Sequence, residues 1–412
     1  MLATHGARGL LVSEHEFAAP LVHAEPDGAK LTVFAREVVA SSRERDDLPW
    51  LVFFQGGPGH EAPRPLRRGD PTWLERALAQ FRVLLLDQRG TGRSTPVGDL
   101  AGMSPEAQAD YLKHFRADAI VRDAELIRRE LEIERWSVLG QSFGGFCVVT
   151  YLSLAPDALA TALVTGGLPP LSRHTDDVYE ATYRRVLAKN RAYYERYPED
   201  RDRVRGIVER LESNDVRLPS GDRLTARRFR QLGHLLGMSD GAEKLHYRLE
   251  LPFGSPAFLH DVEEAYPFAR NPLYAVIHEA CYASGCATNW SAERLFPAEF
   301  RDDPTLFTGE HVYPWMLEDY GALRPLAEAA WILAEYAWPE LYDVERLGAN
   351  EVPAAAAIYV EDMYVERVYS EETARSIADL RPWITNEYEH DALRADGERV
   401  LARLLDLVRD GA

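Results

Sequence analysis

A short apolar run that ends abruptly at a glycine-flanked serine constrains this chain more than any other feature. Trp136–Leu139 (WSVL) reads as a buried strand, Gly140-Gln141-Ser142-Phe143-Gly144 follows at once, and Phe143 to about Leu154 reads as an apolar helix. A strand that passes to a helix through so tight a turn tolerates only small residues beside the serine. Lys30–Val39, Trp50–Phe54, Arg82–Asp87 and Ala162–Thr165 predict further strands, and Pro105–Glu132 predicts a helix. Short apolar runs bounded by polar residues are the mark of strands buried on both faces. Such strands alternating with helices imply right-handed crossovers and an α/β fold, a mostly parallel sheet with helices on both faces.

From about Leu171 to Tyr342 the alternation lapses and the chain is helix-like. Ala354–Val360 restores the buried-strand signal, followed by a helix near Glu371–Ala378, a strand at Pro382–Thr385 and a last helix from about Leu393 to Val408. The expected division is therefore a first part of an α/β core at 1–170, an inserted helical cap domain at 171–342, and the second part of the core at 343–412.

Charge and cysteine usage narrow the functional classes. A net charge of −19 repels phosphate backbones and anionic membrane surfaces, so neither nucleic acid nor membrane is an expected partner. No apolar run approaches the length of a membrane-spanning helix. Three cysteines make no disulfide framework, and the start MLATHGARGLLVSEHEF lacks a secretory pattern, so a reduced, cytoplasmic setting is expected. Cys147 is expected in the core; Cys281 and Cys286 have no second pair or histidine spacing for a metal and are expected as apolar packers. No metal or organic cofactor is expected.

The inserted segment is uneven. Asp240–Glu345 holds 19 acidic and 6 basic residues and 18 of the 42 aromatic ones, whereas Leu171–Arg230 holds 11 acidic and 15 basic. A stretch both acidic and aromatic suits a small cation with an apolar body, through charge pairing and ring contacts. An ordinary solvated acidic surface over an aromatic core has the same composition.

The chemistry concentrates at four places. Ser142 occupies the centre of G-x-S-x-G, where its hydroxyl stands exposed above the sheet and the Phe143 N–H points at a developing oxyanion. Gln55-Gly56-Gly57-Pro58-Gly59 follows strand Trp50–Phe54 and can bring a second backbone donor, that of Gly57, close to the nucleophile. Asp87-Gln88-Arg89-Gly90-Thr91-Gly92-Arg93-Ser94 reads as a tight turn supporting that loop. A serine nucleophile needs a histidine base and an orienting carboxylate, which follow it in the order acid, then histidine. Of the 12 histidines only His390 lies beyond the last strand, and Glu361 and Asp362 follow Ala354–Val360. Asp362 is the expected acid, with Glu361 as its rival; Glu387 and Glu389 share the loop of the histidine itself.

Together these residues resemble the proline iminopeptidase (prolyl aminopeptidase) family of the α/β-hydrolase fold, in its larger form with an extended cap. The resemblance rests on GGPG, DQRGTGRS, GQSFGG, Glu361–Val365 (EDMYV) and Asn386–His390 (NEYEH), with Gln55 standing where many members have histidine. It implies Ser142, Asp362 and His390 as a catalytic triad and Gly57 and Phe143 as oxyanion donors. It further implies cap carboxylates that bind a substrate's free N-terminal amine, for which Glu279 and Glu310 are the candidates. The implied activity is release of N-terminal proline from short peptides through a prolyl-enzyme ester. An esterase or amidase with another acyl group, and a non-catalytic ligand receptor on the same fold, remain the alternatives.

Overall fold

The apolar runs become strands whose successive residues enter opposite layers. The computed structural model describes residues 1–266 and 268–409. Its nine strands are β1 (Ala3–Ala7), β2 (Leu10–Pro20), β3 (Lys30–Ala40), β4 (Trp50–Phe54), β5 (Arg82–Asp87), β6 (Trp136–Gln141), β7 (Leu159–Thr165), β8 (Ala354–Tyr359) and β9 (Leu380–Thr385). They form one sheet in the order β1-β2-β3-β5-β4-β6-β7-β8-β9. From β5 to β9 all neighbours are parallel, and β1, β2 and β3 add an antiparallel flank. Leu51 of β4 stands opposite Val83 of β5 and Ser137 of β6, which sets the register at the centre.

Val52, Phe54, Val138 and Val164 face one apolar layer, and Leu51, Phe53, Leu139 and Leu163 face the other. This explains the uninterrupted apolar runs, since neither side of these strands meets water. The second layer is closed by the helices Thr72–Leu78 and Gly397–Arg409. The first layer runs without a break from the sheet into Tyr179, Tyr282, Tyr313 and Leu323 of the segment between β7 and β8. Among the described residues that segment contains helices and no strand, beginning with the long helix Thr175–Arg196.

Two expected helices change in detail, and two strands were not expected. The single helix expected over Pro105–Glu132 is two, Pro105–Leu112 and Ala117–Glu130, because Arg116 turns inward and donates to the carbonyls of Ala283 and Pro339. The last helix is broken before Gly397, where a side chain would come 2.6 Å from the Thr72 hydroxyl. β1 and β2 carried no clear apolar signal: β1 is almost wholly exposed, and β2 interleaves Glu14 and Glu16 with its buried residues. Among the described residues no helix is long and apolar enough to cross a membrane.

Candidate active site

Ser142 lies between β6 and the helix Phe143–Leu154 with φ 55° and ψ −124°, a conformation rarely adopted by a residue with a side chain. The turn holds because its flanking positions have no Cβ. One at Gly144 would come 2.0 Å from the Phe54 carbonyl oxygen, and one at Gly140 would come 2.2 Å from that of Gly144. The Ser142 N–H donates to the Thr165 carbonyl at 2.9 Å, tying the turn to the end of β7. As the first residue of its helix, Phe143 has an N–H with no intrahelical acceptor, free to face a developing negative charge.

The glycine loop after β4 presses on the serine: a Cβ at Gly56 would lie 3.0 Å from that of Ser142. Gly57 has φ 134° and faces the same cavity as Ser142. Gln88 Nε2 donates to the Gln55 carbonyl at 3.0 Å, so the segment after β5 does brace this loop. That segment is itself fastened by the Arg93 N–H to Asp87 Oδ2 and by the buried Arg89–Asp123 pair.

His390 Nδ1 and Asp362 Oδ2 are 2.7 Å apart, both buried. The other oxygen of Asp362 accepts the N–H groups of Tyr364 and Val365 at 2.9 and 3.0 Å, which fixes the carboxylate just beyond β8. Glu361 points outward toward Arg185, 3.7 Å away, with 55% of its side chain exposed. The structure thus joins Asp362, not Glu361, to the histidine. Burial alone would lower the His390 pKa, but the charge and hydrogen bond of Asp362 outweigh it and hold it above the ordinary imidazole value. The other two histidines of the cavity go the opposite way. Burial lowers His60, and takes His234 down to about 4. Only His390 is both basic and oriented.

Ser142, His390, Gly57 and Glu310 line one cavity of about 500 Å³. At Glu310 a smaller cavity of about 200 Å³ adjoins it, sharing Glu310, Tyr274, His60, His234 and Met238. Tyr274 Oη donates to Glu310 Oε1 at 2.5 Å. Burial raises the Glu310 pKa to about 7 against the lowering by Tyr274, and among the described residues no lysine or arginine pairs with it.

Glu279 is not in this cavity. Its carboxylate accepts the N–H groups of Ser291 and Ala292 at 3.2 and 2.9 Å, at the start of the short helix Ser291–Arg294, and burial raises its pKa to about 7. The two candidate carboxylates of the acidic stretch therefore part company: Glu310 comes to the serine and histidine, and Glu279 does not. Cys147 and Cys281 are buried and Cys286 is half-buried, all as free thiols. Among the described residues one group of possible metal donors, Glu199, Asp200 and His246, lies within 4.8 Å of one another. The Asp200 oxygens are already taken by Tyr193, His246 and Arg203.

Gly166 and Gly167 were not singled out in the sequence, although they follow the buried run ALVT. Gly166, at φ 54°, leaves room for the imidazole: a Cβ there would be 3.2 Å from His390 Nδ1. A Cβ at Gly167 would collide with the Ser142 carbonyl at 2.2 Å. Tyr274 was missed as well, because nothing local distinguishes it from the other aromatic residues around it.

Residues 49–253 match the family model of the alpha/beta hydrolase fold. The chain is 50% identical to a proline iminopeptidase of Aeromonas sobria over 416 residues, covering 98% of this chain and 97% of that one. It is 36% identical to the proline iminopeptidase aneH of Aspergillus aculeatus, covering 97% and 94%. Among solved structures, a proline iminopeptidase of Mycobacterium smegmatis is similar at a TM-score of 0.46 and 15% identity, covering 96% of this chain and 98% of that one.

Proposed function

Because this chain belongs to the proline iminopeptidase family of α/β hydrolases, we propose that it releases N-terminal proline from short peptides with Ser142 as nucleophile, His390 as base and Asp362 as orienting acid. The observation that carries the substrate class is Glu310, a carboxylate without a cation of its own, in the cavity that holds Ser142 and His390. The secondary ammonium of an N-terminal proline is the missing cation. Paired with Glu310, it sets the first peptide carbonyl in register with Ser142 and makes the attack effectively intramolecular.

His390 Nε2 then takes the hydroxyl proton while Asp362 holds Nδ1–H and stabilises the imidazolium. The N–H groups of Phe143 and Gly57 receive the oxyanion. His390 returns the proton to the leaving amine, and water cleaves the prolyl ester by the same steps. We assign the amine site to Glu310 with Tyr274, and to Glu279 the fastening of the Ser291–Arg294 turn. The division into core (1–170 and 343–412) and helical cap (171–342) belongs to the same reading, the cap supplying Glu310 and Tyr274.

The test compares free and N-acetylated prolyl amides and a small activated ester in wild type and Glu310→Gln. Acetylation removes the charge and is expected to abolish amide cleavage, and Glu310→Gln is expected to impair the free amide far more than the ester. Equal cleavage of free and acetylated amides would overturn the aminopeptidase reading in favour of a general esterase or amidase.

A further inference from the structure

Apart from its histidines, the reaction cavity is lined by four charged side chains. Glu310, Asp70 and Asp391 are acidic, and Arg394 alone is basic. In a chain of net charge −19, a lone guanidinium at this place is conspicuous. Arg394 stands away from the amine end: the smaller cavity that adjoins the larger at Glu310 has no contact with Arg394, Leu393 or Thr72. It lies four residues beyond His390, in the short helix Ala392–Ala395.

Its neighbours hold it without using it up. Arg394 Nη2 reaches Asp391 Oδ2, and Asp240 Oδ1 at 3.1 Å. Asp391 also accepts the N–H and hydroxyl of Ser239, and Asp240 also pairs with Lys244 at 2.8 Å. Each carboxylate is thus shared with a second donor. Among the described residues Arg394 Nε and Nη1 have no partner, and the side chain is 54% exposed. A guanidinium held through Nη2, with Nε and Nη1 left as donors on its two sides, can give a charge-assisted hydrogen bond to a carboxylate from either side.

We propose that Arg394 is the leaving-group subsite and takes the free C-terminal carboxylate of a short peptide whose N-terminal ammonium sits at Glu310. This rests on the aminopeptidase reading and adds a second anchor of opposite sign on the far side of the cleaved bond. The enzyme is then selective for di- or tripeptides with a free C-terminus over capped peptides of equal length.

The experiment measures kcat/KM for Pro-Gly, Pro-Gly-Gly and their C-terminal amides in wild type, Arg394→Gln and Arg394→Lys, with proline 4-nitroanilide as a substrate that has no carboxylate. In wild type the acid is expected to exceed its amide by about tenfold for at least one length, chiefly through KM, and less so in added salt. The ratio of acid to amide is expected to fall to about one in Arg394→Gln and to persist in part in Arg394→Lys. Because the ratio is taken within each variant, a general loss of activity cancels. Equal use of acid and amide at both lengths in wild type, or a preference that survives in Arg394→Gln, would overturn the proposal. Failure of wild type to cleave the nitroanilide would instead count against the aminopeptidase reading.

Discussion

Tyr274 donates its hydroxyl to Glu310 at 2.5 Å, and the backbone of the same tyrosine is the wall against which Gly59 packs, since a Cβ on that glycine would come 2.7 Å from the Tyr274 nitrogen. One residue therefore touches both the candidate amine anchor and the loop that carries Gly57. Tyr274→Phe removes a hydrogen bond to a carboxylate, roughly 1.5–3 kcal/mol, and one influence that keeps the Glu310 pKa down. KM for a free prolyl amide is expected to rise about 10- to 100-fold. The acidic limb of the kcat/KM profile, to which Glu310 near 7 and His390 both contribute, is expected to move to higher pH. A profile unchanged in shape would separate Tyr274 from the anchor.

Ser142→Ala is expected to lower turnover by several orders of magnitude. Alanine keeps the Cβ and hence the φ of 55°, so thermal stability should stay close to wild type. Retention of near-normal peptidase activity would place the nucleophile elsewhere.

Asp362→Asn is expected to reduce kcat about 10⁴-fold, because the amide cannot hold His390 in the required tautomer. Glu361→Gln, changing an exposed group that faces Arg185, should stay within about twofold. Side-by-side kinetics of the two variants decide which carboxylate is the acid.

The strands β4 to β8 were legible in the sequence because both their faces are buried, and the serine turn because its glycines are sterically compulsory. Asp362 and His390 were legible from chain order. The break at Arg116 was not, since no proline or glycine marks it and its cause, the carbonyls of Ala283 and Pro339, lies far along the chain. Nor could local sequence separate Glu279 from Glu310. Both are carboxylates in the same acidic, aromatic stretch, and only the tertiary fold gives one to Ser291 and Ala292 and the other to the cavity.

That separation has a pH signature. Burial takes Glu279 from an ordinary 4.5 to about 7, so the folded state binds its proton more tightly than the unfolded chain. Stability is therefore lost as pH rises from about 4.5 through about 7, by roughly 3 kcal/mol for this group. Glu310 adds in the same direction. Urea unfolding across pH 5 to 8 is expected to show a shallower decline in Glu279→Gln. The discrimination between free and acetylated prolyl amides is expected to survive that substitution. Loss of this discrimination would return Glu279 to the substrate site.

The unbroken apolar layer between the sheet and the β7–β8 segment bears on how the molecule comes apart. Tyr179, Tyr282 and Phe143 share one apolar layer, so detaching the segment would bare aromatic surface on both pieces at once. The sheet keeps its second layer, closed by Thr72–Leu78 and Gly397–Arg409, but on the face toward the segment neither piece can cover its apolar surface alone. Sheet and overlying helices should denature in a single calorimetric transition, and a chain trimmed of the segment should aggregate rather than survive as a smaller hydrolase.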